Sequence, residues 1–249
     1  IRYNTIPGHM LSTDSQLLRE GEVLGAFFGW VTDGIYQQGD DFSAQPNKKP
    51  GDIRYKDLFG RDKNNQLIVG ANGVVNADDR TIIGNPNPDF TFGFNNDFKY
   101  KNFDLNIFMQ GSYGNDMLNI TRMELDWMAG KGNATKDVLR RWTPENTNTD
   151  LPRASSTNNP EVSSRWVEDG SYLRLKNLAL GYNFSEKSLE KIHLKYLRIY
   201  VSAQNIWTWT NYTGFDPEVS YQDSNRNVGL DYMGYPNIKS YTLGLNIRF

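Results

Sequence analysis

Residues 240–249 read SYTLGLNIRF, in which Tyr241, Leu243, Leu245, Ile247 and Phe249 are apolar while Thr242, Gly244, Asn246 and Arg248 are polar or small. A period of two is that of a strand with two chemically different faces. Four more segments repeat it. In FTFGFNNDFKY, Phe90, Phe92, Phe94, Phe98 and Tyr100 oppose Thr91, Gly93, Asn95, Asp97 and Lys99. In FDLNIFMQG, Phe103, Leu105, Ile107 and Met109 oppose Asp104, Asn106 and Gln110. In LRIYVSAQNIW, Leu197, Ile199, Val201 and Ala203 oppose Arg198, Tyr200, Ser202 and Gln204. YLRLKNLALGYNF changes phase midway, with Leu173 and Leu175 on one parity and Leu178, Leu180, Tyr182 and Phe184 on the other. One extra residue near Lys176–Asn177 explains the change, so a β-bulge is expected there.

These strands run about 9–13 residues, against about 5–6 in most globular proteins and about 9–11 for a tilted strand crossing a bilayer. The gaps between them alternate. A tight turn at Lys101–Asn102 joins the first two, a long excursion covers 112–171, SEKSLEKIHLKY is modest, and 208–240 is long again. Short and long connections in alternation are the rhythm of an outer-membrane barrel, with tight periplasmic turns and extended outer loops. Counting back from Phe249 puts the C-terminus on the periplasmic side and makes 37–89 another outer loop. A soluble β-sandwich also alternates, but its loops are shorter. Five clear strands, six or seven if EVLGAFFGWVTDGIY at 22–36 is counted, cannot close a membrane barrel, which needs about eight. An open edge in lipid would strand its N–H and C=O groups. The expectation is therefore the C-terminal part of a larger barrel over 1–249.

Composition narrows the alternatives. The formal charge of −2 gives no reason to expect a nucleic-acid partner. There is no cysteine, and histidine occurs only at His9 and His193, which leaves little for zinc or a His-based triad. No run approaches the roughly 20 apolar residues of a transmembrane helix. The 6 Trp, 14 Tyr and 13 Phe, beside 22 Gly, suit β-structure with turn-rich loops. The opening IRYNTIPGHM carries no initiator methionine, signal peptide or basic n-region, which fits a mature protein or a piece of a longer one.

The segment GDIRYKDLFG…NGVVNADDRTIIGNPNPDFTFGFNNDFKYKNFDLNIFMQGSYGND closely resembles the C-terminal barrel region of the SusC/RagA family of TonB-linked outer-membrane transporters. GAFFGWVTDGIYQ, RRWTPENTNTDLPR, YLRLKNLALGYNF, RIYVSAQNIWTWTNYTGFDPEV and YPNIKSYTLGLNIRF fit the same family, in order, from about residue 20 to the end. The resemblance implies an all-β fold: a barrel of about 22 antiparallel transmembrane strands, long extracellular loops carrying short helices, and an N-terminal plug that this chain lacks. It implies import of oligosaccharides, sometimes peptides, across the outer membrane of a Gram-negative bacterium. It further implies TonB acting through the absent N-terminal region, a SusD-like surface lipoprotein as lid, and outer-membrane lipid around the barrel. By the same resemblance the last strand, Tyr241, Leu243, Leu245, Ile247 and Phe249, is the signal read by the barrel-assembly machinery.

Family members often carry a calcium-loop-like run, D-x-N-x-D-G-x-I-N-x-x-D. Here NGVVNADD puts Asn72, Asn76 and Asp79 at its fifth, ninth and twelfth positions, with Asp57 a candidate first ligand. Phe59 replaces an expected Asn, Asn72 an expected Asp, and GRDKNNQLIVGA separates the halves, so a turn held by Asn and Asp side chains is the favoured reading. No other cofactor is expected.

Aromatics divide by place. Tyr100, Tyr172 and Trp207, at strand ends, suit an interfacial girdle. Trp127, Trp142, Trp166, Trp209, Tyr212, Tyr221, Tyr232 and Tyr235, in the outer loops, are candidates to stack on sugar rings, two or three of them at most; otherwise they pack the loops together. NDMLNITRMELDWM and ATKDVLRRWTP read as short helices, the second capped by Thr135. Arg140 and Arg141 are candidates for an anionic ligand or the lid, or lie on a solvated helix face.

No nucleophile–base pair stands out, and Glu124 and Asp126, two apart on a helix, face different ways. The sequence thus reads as a non-enzymatic importer. Its rivals are a non-transporting surface glycan-binding β-protein and a hydrolase with carboxylates in the loops.

Overall fold

The computed structural model describes residues 15–19, 21–128, 132–156, 161–218 and 228–249, and Tyr221 lies outside them. The chain divides into two compact units.

One unit takes in Pro88–Asn115, Asp169–Val219 and Gly234–Phe249. It holds the five long strands: β1 (Phe90–Tyr100), β2 (Phe103–Tyr113), β3 (Tyr172–Asn183), β4 (Tyr196–Thr210) and β5 (Ser240–Arg248). They form one antiparallel sheet in the order β5-β4-β3-β2-β1. At one end Lys101, in the left-handed region (φ 53°), turns β1 into β2, and a short helical segment at 186–192 leads from β3 to β4. The long connections leave from the opposite end.

Register keeps the two faces chemically distinct across the whole sheet. Phe98, Leu105, Leu180, Val201 and Leu243 lie opposite one another in successive strands. One residue over, Asp97, Asn106, Ala179, Ser202 and Thr242 do the same. The expected bulge is present: Leu175 faces Met109 and Asn177 faces Phe108, so β3 carries one residue more than β2. β4 carries one more again, because Trp207 faces Leu175 and Gln204 faces Asn177. Asn205, at φ 52°, absorbs the second insertion. A single insertion flips parity along β3, and the second restores it along β4.

The other unit takes in Ile1–Asn87, Asp116–Glu168 and Ser220–Met233. Its core is Phe27, Leu118, Met123, Trp166 and Leu230, flanked by Ile83, Ile120, Val162 and Val167. Small sheets surround it, including Gln16–Leu17 with Ala26–Gly29 and Thr81–Gly84, and a parallel pairing of Asp116–Asn119 with Leu230–Asp231. Segment 22–36 therefore adds no strand to the long sheet. Ala26 and Phe27, neighbours in sequence, are both fully buried, so both faces of that strand are covered and no two-faced alternation exists there.

Two helix expectations need correction. Asp116–Asn119 is a strand, and only Ile120–Asp126 is α-helical (α1), with the Asn119 side chain accepting the Arg122 N–H at 2.8 Å. Lys136–Arg140 is 3₁₀, and the hydroxyl of Thr135 donates to Asp126 instead of capping it. A polar group satisfied elsewhere is not available to the helix end. No helix among the described residues is long and apolar enough to cross a membrane, which says nothing of crossing by strands.

Candidate functional site

The long sheet offers one apolar and one polar face, and each is organised along its height. On the apolar face, the end near the short turns carries Tyr100, Phe103, Tyr182 and Phe184. Phe103 and Phe184 pack edge-on to Tyr182 at 4.8 and 5.0 Å between ring centroids. The opposite end carries Phe90, Phe92, Tyr113, Trp207 and Trp209, with Phe90 stacked on Tyr113 at 5.4 Å and the two tryptophans 6.5 Å apart. Between these bands lie aliphatic residues of β2 to β5 with Phe94 and Phe98, many of them exposed. Trp209 shares the apolar face with Trp207, since both pair with Leu173 and Leu175 of β3. Tyr172 does not share it. It pairs with Ser112 and Thr210 and lies under the Arg174 guanidinium at 5.6 Å, on the polar face, so its girdle assignment is corrected. It precedes the bulge, where even-numbered residues of β3 point the other way.

The polar face is a connected network. Asn177 donates to Asn106 at 2.6 Å, and Asn106 donates to Asn95 and Asp97 at 2.8 Å each. Asp104 accepts from Asn183 and from Arg198. Nearer the long-loop end, Arg174 is buried and bonds Asp216 and, at 2.8 Å, Glu218; Lys176 reaches Glu218 at 3.1 Å. Asp216 also accepts the N–H groups of Glu218 and Asn237 at 2.9 Å. Burial pushes the Asp216 carboxyl up, yet the guanidinium and those two N–H groups outweigh it and hold the carboxyl below its usual range. The segment 211–218 is thereby strapped onto the polar face, beside a cavity of about 430 Å³ that includes Arg174, Asn205, Asp216 and Lys239. Sequence reasoning did not single out this cluster. Its signals were Arg174 and Lys176 in a strand and the acidic pair in FDPEV.

The proposed calcium ligands do come together. Residues 60–71 bulge out as a hairpin, Phe59–Arg61 with Leu67–Val69, which brings the two halves of the loop side by side. Their oxygens nonetheless serve the backbone. Asp57 accepts the N–H groups of Asn72 and Gly73, at 3.1 and 2.6 Å. Asp79 accepts those of Leu58 and Phe59 through one oxygen and of Asn76 through the other, at 2.7, 2.9 and 2.8 Å. Asn72 and Asn76 cap Val74 and Asp78. Among the described residues no three acidic or histidine side chains converge on one point. In the structure Asp57 and Asp79 thus form a reciprocal clamp on the backbone of the two halves of the loop.

The loop aromatics mostly build the scaffold. Trp166 is 1% exposed in the core, and Trp142 is buried, donating its indole N–H to Gln37 at 2.9 Å. Tyr212 is buried against Gly214. All three rings are thus buried within their own unit. Trp127 lines a narrow crevice with Tyr55 and Arg153, while Tyr232 and Tyr235 are exposed. Arg140 pairs with Asp137 at 3.3 Å on an open surface. It also lines a second cavity, of about 710 Å³, together with Arg165, Asp150 and the polar segment 146–149.

No protein-family model matches the chain. It is 46% identical over 255 residues to TonB-dependent receptor P3 of Formosa agariphila, a match covering 99% of this chain and 24% of that protein. Receptor P26 of the same organism is 32% identical over 249 residues, covering 96% and 24%. TonB-dependent receptor SusC of Bacteroides thetaiotaomicron is 26% identical over 218 residues, covering 86% and 19%. Among solved structures, the RagAB peptide transporter superposes with a TM-score of 0.70 at 26% identity, covering 91% of this chain and 23% of that one. The RagAB peptide importer in its closed-closed state gives 0.73 at 25%, covering 97% and 25%. The chain spans about a quarter of the length of these relatives.

Proposed function

Because the chain is a homologue of the TonB-dependent receptors, SusC among them, we propose that its five long strands are the C-terminal arc of an outer-membrane barrel that imports oligosaccharides. The observation that carries this reading is the apolar face with an aromatic band at either end. From Ile199 to Trp209 the strand rises roughly 33 Å. At a tilt near 40° that is about 25 Å along the normal, the height of the lipid-facing belt of an outer-membrane barrel. The polar network then faces the lumen, the short turns the periplasm, and the long connections the outside.

The edges of the sheet support the same reading. β1 and β5 each have a strand neighbour on one side only among the described residues, and in lipid such edges need partners. Further strands preceding this segment would supply them. A plug coupled to TonB would supply the energy, and a SusD-like lipoprotein would cover the loops. The work is binding and gated passage, without covalent chemistry. Peptide cargo is the second reading, favoured by the likeness to RagAB, which is named a peptide transporter.

The test is import by cells. A strain lacking the gene should lose uptake of one oligosaccharide class and regain it from a plasmid copy only when TonB is functional. The protein should require detergent for extraction and migrate faster on gels before boiling than after. Full solubility without detergent would overturn the barrel, and uptake restored without TonB would overturn the energised mechanism.

A further inference from the structure

A cleft of about 880 Å³ lies wholly within the unit of the long sheet, on its apolar face at the end from which the long connections leave. Its volume is within the range of small-molecule sites. The register of the strands makes it. Leu173 of β3 pairs with Gly111 of β2 on one side and with Trp209 of β4 on the other. Gly111 has no side chain, and the Phe92 ring leans over it from β1. Phe90, Phe92 and Tyr113 form one wall, Phe90 lying 6.0 Å from Phe92 and 5.4 Å from Tyr113 between ring centroids, and Trp209 forms the other. Leu173 is the floor between them. These four wall rings are 41–56% exposed, unlike Trp142 and Trp166, so they keep their faces open. β2 and β4 stand two strand spacings apart, roughly 9.5 Å, which leaves room between the rings for one acyl chain.

Beyond the walls the rim turns polar. Asp169, Ser171 and Asn211 line it, where β3 begins and β4 ends. The Asp169 carboxylate accepts the Ser171 N–H at 2.8 Å, and the Ser171 side-chain oxygen accepts the Gly114 N–H at 3.0 Å, so the rim is tied to the backbone. The Ser171 hydroxyl, the Ser171 N–H and the Asn211 side chain together outweigh desolvation and hold that carboxyl below its usual range. An ionised carboxylate offers about four acceptor positions, so capacity remains for an incoming hydroxyl. No lysine or arginine is among the described residues that line the cleft. Arg174 lies on the other face of the sheet, bonded to Asp216 and Glu218. A phosphate placed at this rim would meet a like charge with no cation to offset it, whereas a sugar hydroxyl would meet an acceptor. The walls suit any acyl chain, and the rim discriminates between headgroups.

We propose that this cleft binds a sugar-headed, phosphate-free lipid of the outer leaflet, with one acyl chain between the Tyr113 and Trp209 walls and the sugar hydroxyls on the Asp169 rim. The proposal rests on the barrel reading, which sets the apolar face in lipid and this end of the sheet at the outer interface. It adds one particular class of lipid, and the residues that select it, to a face that lipid of any kind would otherwise cover.

The experiment uses the whole transporter in detergent micelles. A glucosyl diacylglycerol is the probe, phosphatidylglycerol with the same acyl chains the competitor, and methyl glucoside the sugar without a chain. Native mass spectrometry counts what each protein molecule retains. The glucosyl lipid should be retained at least tenfold over phosphatidylglycerol. W209A, which removes one wall, should lower its retention about tenfold. D169N, which keeps the shape of the rim but not its charge, should raise retention of phosphatidylglycerol about threefold. Equal retention of the two lipids by wild type overturns the proposal, as does full retention by W209A, or a D169N protein that excludes phosphatidylglycerol as wild type does. Displacement of the lipid by an equal concentration of methyl glucoside overturns the lipid assignment in favour of a free-sugar site. Both substitutions fall at exposed positions and should keep the fast-migrating gel form. A wild-type protein that lacks this form and is soluble without detergent overturns the barrel reading instead, and the gel alone tells that failure from failure of the cleft.

Discussion

Arg198 reaches over the backbone of Gly181 to hold Asp104, its Nε 3.1 Å from one carboxylate oxygen and one Nη 2.5 Å from the other. The two residues sit on β4 and β2, with β3 between them, so the pair braces three strands at once. The brace exists because position 181 has no side chain. A Cβ there would lie 2.5 Å from an Arg198 nitrogen and 2.7 Å from the Asp104 oxygen.

Gly181→Ala should therefore break the brace by displacement. The atoms met are the ends of two partly exposed, flexible side chains, so the cost should lie at the low end of the about 1–3 kcal/mol of core overpacking, and Asp104→Asn, which keeps the space but removes the charge, should cost less. Thermal unfolding of the detergent-solubilised protein, followed by loss of the fast-migrating gel form, measures both. If the alanine variant melts with wild type, Arg198 has another place to go.

Arg174 carries the strap. Removing one partner of a buried ion pair costs about 3–5 kcal/mol, because the remaining charge is left unpaired. Arg174→Gln should thus release 211–218, seen as faster hydrogen exchange there than in wild type, with β2 and β3 unchanged away from the site. The pH dependence follows from Asp216, whose carboxyl is held below its ordinary 3.8 in the folded protein. A depressed acid contributes stability above its unfolded value and loses it as pH falls through the folded value. Protection of the strap should be flat from neutral pH down to about 4 and fall below that. Loss of protection between pH 7 and 5 would point to another group.

Asp79 is fully buried and accepts three backbone N–H groups. Asp79→Ala should destabilise by roughly 2–3 kcal/mol through orphaned donors. A chelator should leave the melting temperature of the wild-type protein unchanged, because both oxygens are already occupied. A chelator-induced drop restored by calcium, absent from Asp79→Ala, would restore the ion.

The sheet was legible in the sequence because its information is local. Each strand repeats a period of two over nine or more residues, and the bulge at 175–177 announced itself as the parity change from Leu175 to Leu178. The strand ends fell within a few residues, except at β4, where the second insertion at Asn205 carries the strand on to Thr210. Tyr172 was misplaced because its position at a strand end was weighed above its parity, which is opposite to that of Leu173 and Leu175 and puts it on the polar face. The loops were illegible for the opposite reason. Whether Trp142 and Trp166 meet ligand or core depends on contacts such as Trp142 with Gln37, more than a hundred positions away. The Asp57 and Asp79 carboxylates left two readings open in the sequence, a turn clamp and a cation site, because an acceptor for a cation and an acceptor for an N–H have the same formula. The side chain alone does not say which donor arrives.

The face assignment itself is open to a paired substitution on β5. Leu243 and Thr242 are neighbours, one on the apolar side opposite Val201 and one on the polar side opposite Ser202. If the apolar side faces lipid, an arginine at 243 enters hydrocarbon two residues inside the periplasmic edge of the belt, at a cost between the about 0–1 kcal/mol of the interface and the about 2–4 kcal/mol of the midplane, whereas an arginine at 242 enters a polar, watered lumen and costs little. Leu243→Arg should lower the amount of folded barrel recovered from the membrane fraction and its resistance to unfolding, and Thr242→Arg should leave both near wild type. The comparison is informative because the two variants share strand, charge and volume, and differ only in side. A soluble protein that buried Leu243 against its own core would also reject the first arginine. It would, however, be recovered without detergent, and Leu243→Ala would then open a cavity and cost about 2–5 kcal/mol. On a lipid face the acyl chains fill the space left by the alanine, and its cost should fall well below that range.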